Sequence, residues 1–221
     1  MVRAGVWAVM ALLTGTGFLG CGPSAQVVNP GGPTIREAMS EPSTGKKMRI
    51  AVMRFENRSR YDVGTGIRAM MTSALFRTNK FIVVEREMLT DVLLEQQLGA
   101  TGAVSSRTAA PVGEVEGAQL LIYGTITAFE PGQRGISTIV GGAQQSYVAM
   151  DLRIVDSRTS RVLSTTTVEG RATDVNLSTA ALKYVGMSPL YYLEVWNNTP
   201  MGSAIRLCID QAVGYIIQRI E

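Results

Sequence analysis

The chain of 221 residues contains no histidine and only two cysteines, Cys21 and Cys208. Zinc sites are built largely from His and Cys ligands, and Ser/His/Asp triads and Cys/His pairs both need a histidine base. A phosphate-binding loop of full spacing is also missing from the sequence. The sequence therefore predicts no metal site, no non-covalent cofactor and no enzymatic activity.

The sequence also has no large excess of positive or negative charge. The formal net charge is +3, from 21 Lys and Arg against 18 Asp and Glu. It falls to +2 (20 against 18) when Arg3 is removed with the leader described below. So weak a balance favours no nucleic-acid partner. The length indicates one domain with additional segments.

Residues 1–20 have the pattern of an export signal. Arg3 precedes an apolar run over 6–13, small residues follow, and the run is too short to cross a bilayer as a helix. The leader ends Phe18-Leu19-Gly20-Cys21, which resembles a bacterial lipobox and predicts a covalent lipid on Cys21. The alternative is an ordinary cleaved signal followed by a chance cysteine. No Asp follows Cys21, which favours the outer membrane, and one lipidated terminus tethers a protein without spanning the membrane.

The remaining chain divides into a tether and one domain. Residues 21–47 are rich in proline and glycine and are predicted to form the lipidated N-terminus and a flexible tether. Residues 48–221 are predicted to form an α+β domain, with a mixed, largely antiparallel sheet covered by helices. Strands are predicted at 48–55, 81–84, 120–128, 146–156 and 161–168. Helices are predicted near 67–75, at 88–98 and from Pro200 onward, with a helical turn near 112–117.

The last predicted helix has the clearest pattern. Thr199 can cap it, and Pro200 is favoured at the first helical position. Its apolar stripe consists of Ile205, Cys208, Ile209, Ala212, Val213, Ile216 and Ile220. This spacing predicts a helix packed on the sheet, with Cys208 as an inert core thiol.

Two segments have the pattern of β-hairpins that could cross a membrane. In 170–196, residues alternate with a period of two, and the length suits two strands of about ten residues and a turn. The segment 129–147 is shorter and would span a bilayer only with residues from its flanking strands. Its alternative is a soluble hairpin. The predicted membrane-facing residues are Ile136, Val140, Thr173, Val175, Leu177, Met187, Tyr191, Leu193 and Val195.

Five sequence blocks together resemble the CsgG/HfaB family of outer-membrane lipoproteins. They are RIAVMRFEN at 49–57, FIVVEREML at 81–89, LLIYGTI at 120–126, VAMDLRIVDSRTSRVLS at 148–164 and TPMGSAIRLCIDQAVGYII at 199–217. The resemblance implies a periplasmic domain and two hairpins, contributed by each of about nine identical subunits to one large transmembrane barrel. It implies export of unfolded or fibre-forming, curli-like protein by diffusion, with an accessory plug protein as a further partner.

The alternative function is a lipid-anchored periplasmic adaptor or activator that binds another envelope protein without forming a pore. Related lipoproteins with the same core lack the membrane hairpins and act by binding. The hairpins at 129–147 and 170–196 therefore distinguish the two hypotheses.

The resemblance also directs attention to the segment 56–66, which follows the first strand. In the family's channel, aromatic and amide residues in this loop narrow the pore. Here Asn57 and Tyr61 are the only amide and aromatic residues of the segment, which makes them candidates for the constriction. Arg58 and Arg60, with Arg54 and Arg68 nearby, could ring the pore with charge. The alternatives are that Asn57 caps a turn, Tyr61 packs locally and the arginines form a solvated face.

Overall fold

The computed structural model describes residues 24–27, 34–40, 46–138, 141–174 and 199–220. Ten elements follow one another along the chain: β1 (Ser24–Val27), α1 (Ile35–Ser40), β2 (Arg49–Asn57), α2 (Gly64–Arg77), β3 (Ile82–Val83), α3 (Leu89–Ala100), β4 (Leu120–Thr138), β5 (Gly141–Asp156), β6 (Val162–Asp174) and α4 (Pro200–Ile220).

The described strands form one six-stranded sheet in the order β1-β6-β5-β4-β2-β3. β2 runs parallel to β3 and to β4, whereas the β4–β5, β5–β6 and β6–β1 pairs are antiparallel. The predicted α+β class with a mixed sheet is therefore confirmed.

The strand directions bring several chain segments to one end of the sheet, which we call the hairpin end. β2 and β4 end there, β5 begins there, and β6 ends there at Asp174. Because β1 is antiparallel to β6 and pairs Ser24 with Arg171, the start of β1 lies at this end as well.

The first hairpin is a direct continuation of the central sheet. β4 and β5 stay paired from Leu120↔Asp156 to Thr138↔Gly141. The ladder is irregular between Glu130 and Arg134, where β4 has two more residues than β5, and Gly132 there adopts φ +62°. A bulge of this kind bends a strand, and bulges are frequent at the rims of barrels. β4 and β5 thus continue past the predicted hairpin bounds at 129 and 147 into the central sheet.

Helices α2 and α4 bury their apolar faces against the sheet. All of the predicted α4 stripe is buried except Ile220, which is partly buried against the core. The predicted cap is also confirmed, because Thr199 Oγ1 accepts a hydrogen bond from the Gly202 amide (3.3 Å). At one point the helix backbone almost touches the sheet, since a Cβ added to Gly170 of β6 would lie 2.0 Å from the carbonyl oxygen of Ala204.

Gly124 and Phe55 form a cross-strand pair in the β2–β4 ladder, with the Phe55 ring over the glycine. A Cβ on Gly124 would lie 2.5 Å from Phe55 Cζ, and Phe55 itself is buried. We expect Gly124→Ala to lower the free energy of unfolding by about 1–3 kcal/mol through overpacking. Adding Phe55→Leu should recover part of this loss. A double-mutant cycle in urea tests the contact, and strictly additive losses would rule it out.

Two predicted features differ from the structure. Residues 112–117 form no helix; Gly113 has φ +89° and its amide hydrogen-bonds to Gln96 Oε1 of α3 (3.3 Å). A residue with this positive φ lies outside the right-handed helical region, so Gly113 cannot be part of an α-helix. The helix predicted at 88–98 is present as α3, but two of its apolar positions, Val92 and Leu93, are exposed and do not contribute to the core.

The segment 21–47, predicted to be a flexible tether, contains two described elements. β1 adds a strand to the edge of the sheet, and α1 packs on α4, with Ala38 fully buried and the Ile35 amide bonded to Asp210 Oδ1 (2.9 Å). A reciprocal capping box begins α1. The Glu37 amide donates to Thr34 Oγ1 (3.3 Å), and the Thr34 amide donates to Glu37 Oε2 (2.8 Å). The hydrogen bond from the Thr34 amide to the Glu37 carboxylate lowers the pKa of that carboxyl, and a hydrogen bond from the Thr34 side chain adds to the effect.

Candidate functional site

The β2–α2 loop (residues 58–63) is held in shape by the side chain of Asn57. Asn57 Oδ1 accepts hydrogen bonds from the Ser59 amide (3.0 Å) and from Ser59 Oγ (2.8 Å), while Asn57 Nδ2 donates to the carbonyl of Tyr61. An amide that bridges its own loop in this way fixes a tight turn. In the single chain Asn57 therefore caps the turn, and its role at a constriction stays a prediction.

Tyr61 connects the loop to the base of the first hairpin. Its ring is buried and lies 5.5 Å from the ring of Phe129 on β4, at an interplanar angle of 53°. Aromatic pairs in such tilted geometry stabilise the contact beyond the area that they bury. The Arg58 amide also donates to the carbonyl of Ile126 on β4 (3.1 Å). The loop is thus fastened to the first hairpin at the hairpin end of the sheet.

The arginines around this loop have partners within the chain. Arg58 pairs with Glu56 (3.1 Å, both exposed), and Arg68 pairs with Glu87 in a partly buried contact. The guanidinium of Arg60 lies over the Tyr61 ring at 5.1 Å and donates to its hydroxyl (3.1 Å). The carboxylates neutralise the charges of Arg58 and Arg68, whereas Arg60 has an aromatic partner and keeps its charge. A charged ring formed by Arg58 and Arg60 stays a prediction.

Two of the candidate membrane residues lie in described strands, and the others lie outside the described residues. Ile136 lies in β4 and Thr173 in β6. The predictions for Cys21, Val140, Val175, Leu177, Met187, Tyr191, Leu193 and Val195 lie outside the described residues. No helix among the described residues is long enough and apolar enough to cross a bilayer.

Phe129 and Ser59 belong to this site but were not among the residues predicted for it. Ser59 had a signal, since Asn-x-Ser in a polar loop suits a side-chain-capped turn. Phe129 had no comparable signal, because its contact with Tyr61 depends on the β2–β4 pairing across 68 residues of chain.

Cys208 has the environment of an inert thiol. It is fully buried, and its Sγ lies 3.5 Å from the carbonyl oxygen of Val168. Burial raises the pKa of the thiol far above its ordinary value, and the carboxylate of Glu169 adds to this effect. The reactive thiolate is therefore suppressed in the folded chain.

This environment predicts the thiol chemistry of the mature protein. If Cys21 carries a thioether-linked lipid, we expect no maleimide labelling of the native protein and one label per chain in denaturant, measured by intact mass. Cys208→Ser should then abolish labelling. Two labels per chain would contradict lipidation, and rapid native labelling of Cys208 would contradict its burial.

These features describe a class of protein: a mixed α+β domain whose central strands extend into a hairpin. The chain matches the family model described as "Curli production assembly/transport component CsgG" over residues 32–221. The protein therefore belongs to the CsgG family, which by this description is an assembly and transport family and not a family of enzymes. None of the curated proteins matches the chain.

Among solved structures, the chain is similar to the hypothetical protein CT253 from Chlamydia trachomatis (11% identity, 79% of this chain and 99% of that chain, TM-score 0.48). It is also similar to the lipoprotein GNA1162 from Neisseria meningitidis (19% identity, 68% and 96%, TM-score 0.37). A third similarity is to PelC from Paraburkholderia phytofirmans, described as a dodecamer (11% identity, 90% and 100%, TM-score 0.43). At these identities and TM-scores, the likenesses support no inference about function or assembly.

Proposed function

We propose that this protein is a subunit of a homo-oligomeric pore in the outer membrane, anchored by a lipid on Cys21 with its globular domain in the periplasm. The pore exports unfolded or fibre-forming protein by diffusion. Each of about nine subunits contributes the hairpins at 129–147 and 170–196 to one barrel. An accessory plug protein is a further partner, and nucleic acid is not one.

The observation that carries this proposal is the arrangement at the hairpin end of the sheet. The first hairpin leaves the domain there, and β6 runs beside it to Asp174, which is already within the second hairpin segment (170–196) and is its last described residue. The Gln144↔Asp174 pair shows that β6 and β5 are hydrogen-bonded where they leave the domain. If each subunit contributes several strands to a closed barrel, neighbouring strands must be paired where they leave the domain.

The length of the first hairpin supports a membrane span. From Glu130, the residue after the buried Phe129, to Thr138, β4 provides nine residues. A tilted transmembrane β-strand needs roughly 9–11 residues. The bulge near Gly132 lies within this stretch, so the span uses residues on both sides of the bend.

The position of β1 supports the lipid anchor. Cys21 precedes Ser24 by three residues, so the extended chain can place it at most about 11 Å from the start of β1. That start lies at the hairpin end, beside Arg171 of β6. A lipid on Cys21 would therefore enter the membrane from the same end of the domain as both hairpins.

Purification and bilayer reconstitution of the lipidated, full-length protein test the proposal. We expect a ring in detergent and large, stepwise conductance in a planar bilayer. Deletion of 173–192 should abolish conductance while the thermal unfolding of the periplasmic domain persists. A monomer with no conductance would overturn the pore and favour the adaptor function.

The β2–α2 loop offers a second readout on the same channel. If it forms the constriction, Asn57→Ala and Tyr61→Phe should alter the conductance while the ring stays assembled. Equal conductance in both variants would restrict the two residues to the turn and the packing seen in the single chain.

A further inference from the structure

Helix α3 has an apolar surface that the described part of the chain leaves exposed. Of its twelve residues, all of them described, only Gln96 is buried. Val92, Leu93 and Leu98 are each exposed by more than two fifths, and Leu94 by 57%. Met88, directly before the helix, is 53% exposed. A helix with this much exposed aliphatic surface normally marks a binding surface.

Within the described residues, α3 makes two contacts with the loop that follows it. Gln96 Oε1 accepts the Gly113 amide (3.3 Å), and Gly99 lies against Ala109, where an added Cβ would come within 3.1 Å. Among the described elements, α3 has no extensive packing against any other helix or strand. These contacts hold the helix in place but leave its leucines facing outward.

A groove that could receive such a helix lies between α1, α2 and α4 on the same chain. It has a volume of about 1230 Å³. The apolar part of its lining consists of Ile35, Met39, Ala69, Met70, Leu207 and Ile209. Its lining along α2 runs from Gly66 to Arg77, about 17 Å at the helical rise, and the twelve residues of α3 form a helix about 18 Å long.

The charges of the two surfaces are complementary. α3 carries the exposed carboxylates of Asp91 and Glu95, and its sequence LTDVLLEQQLGA contains no basic residue. The groove lining contains Arg36, Arg77 and Arg206. Its single carboxylate, Asp210, accepts the Ile35 amide (2.9 Å). Complementary charge of this kind selects a partner and fixes its register.

We propose that α3 of one copy docks into the α1–α2–α4 groove of the next copy. Because the two surfaces are different parts of one chain, the contact is head-to-tail. A head-to-tail contact repeats from copy to copy and forms a ring when its rotation closes, as the proposed pore requires. This proposal rests on the proposed homo-oligomeric pore and assigns one of its periplasmic subunit contacts. The occupant of the groove is a second copy of this chain.

Charge reversal in full-length, lipidated protein tests the contact. We expect Asp91→Arg/Glu95→Arg in one variant, and Arg36→Glu/Arg77→Glu in another, each to reduce the ring fraction in detergent about tenfold, measured by mass photometry. Combining all four substitutions should restore the ring. The matched control Glu114→Arg reverses an exposed charge in the loop outside α3 and should leave the ring unchanged. Circular dichroism confirms that each variant is folded.

Photo-crosslinking gives an independent readout. A benzophenone residue at position 94 should yield a product of two chain masses joined to α1, α2 or α4, as identified by peptide mapping. A ring that assembles normally in both charge-reversal variants, or a crosslink only to lipid, to another protein or within one chain, would overturn the docking. A wild-type protein that forms no ring at all would instead overturn the proposed pore, so the two failures are distinguishable.

Discussion

A Gly170→Ala variant is expected to lose about 3 kcal/mol of the free energy of unfolding, at the upper end of overpacking effects. The added Cβ would lie 2.0 Å from the carbonyl oxygen and 2.9 Å from the carbonyl carbon of Ala204, and 3.0 Å from Cys208 Cβ. Two of these atoms belong to the backbone of α4, so no rotation of a side chain can relieve the clash. The helix must move away from β6.

Movement of α4 affects much of the core, because its buried face contacts both β5 and β6. Urea unfolding of the full-length protein in detergent, followed by far-UV circular dichroism, measures the loss. Gly117→Ala is the matched control, since a Cβ there meets nothing within 4 Å and the residue is exposed. We expect it to change stability by less than about 1 kcal/mol. Equal effects of the two substitutions would contradict the close packing of α4 on β6.

The parts of the fold that sequence periodicity could predict are those where one element buries one regular face. In α2 and α4 the apolar residues recur at helical spacing, and the structure buries nearly all of them. The same spacing in α3 predicted a helix correctly but could not identify what covers it. Periodicity indicates which face is apolar, and the partner of that face depends on tertiary or quaternary contacts.

The elements in the predicted tether show a different limit. β1 has four residues, and it pairs with β6 more than 140 positions away in the chain. Such a short strand is defined by its partner and has no periodicity of its own. α1 did have a local signal, the Thr34-x-x-Glu37 capping box, and only its length of six residues hid it.

The candidate site was predictable by residue type and only partly by contact. Asn57 and Tyr61 could be selected as the amide and the aromatic of the loop. The turn cap of Asn57 uses local hydrogen bonds and was one of its two predicted roles, whereas the packing of Tyr61 on Phe129 depends on the register between β2 and β4. Because that register is non-local, the link between the loop and the first hairpin emerges only from the structure.

Replacing Ile136 by arginine is expected to prevent membrane insertion of the first hairpin, whereas Ser137→Arg should allow it. The two residues are neighbours in β4, and successive residues of a strand alternate between its faces. In the proposed barrel we therefore expect Ile136 to face lipid and Ser137 to face the lumen. An arginine in lipid costs about 2–4 kcal/mol at the bilayer midplane and less toward the interfaces, and a ring repeats the cost in every subunit. Ile136 lies two residues before the end of β4 at Thr138, so the cost per subunit falls below that maximum.

The two substitutions should therefore have different effects on the ring and its conductance. Ile136→Arg should reduce the membrane-integrated fraction, measured by resistance to urea extraction, and abolish conductance. Ser137→Arg should keep the ring in the membrane and shift the ion selectivity of the pore toward anions, because it adds a ring of positive charge to the lumen. The adaptor function predicts no such difference, since both faces of a soluble hairpin meet water or protein. Identical extraction and conductance for the two variants would thus remove the first hairpin from the barrel.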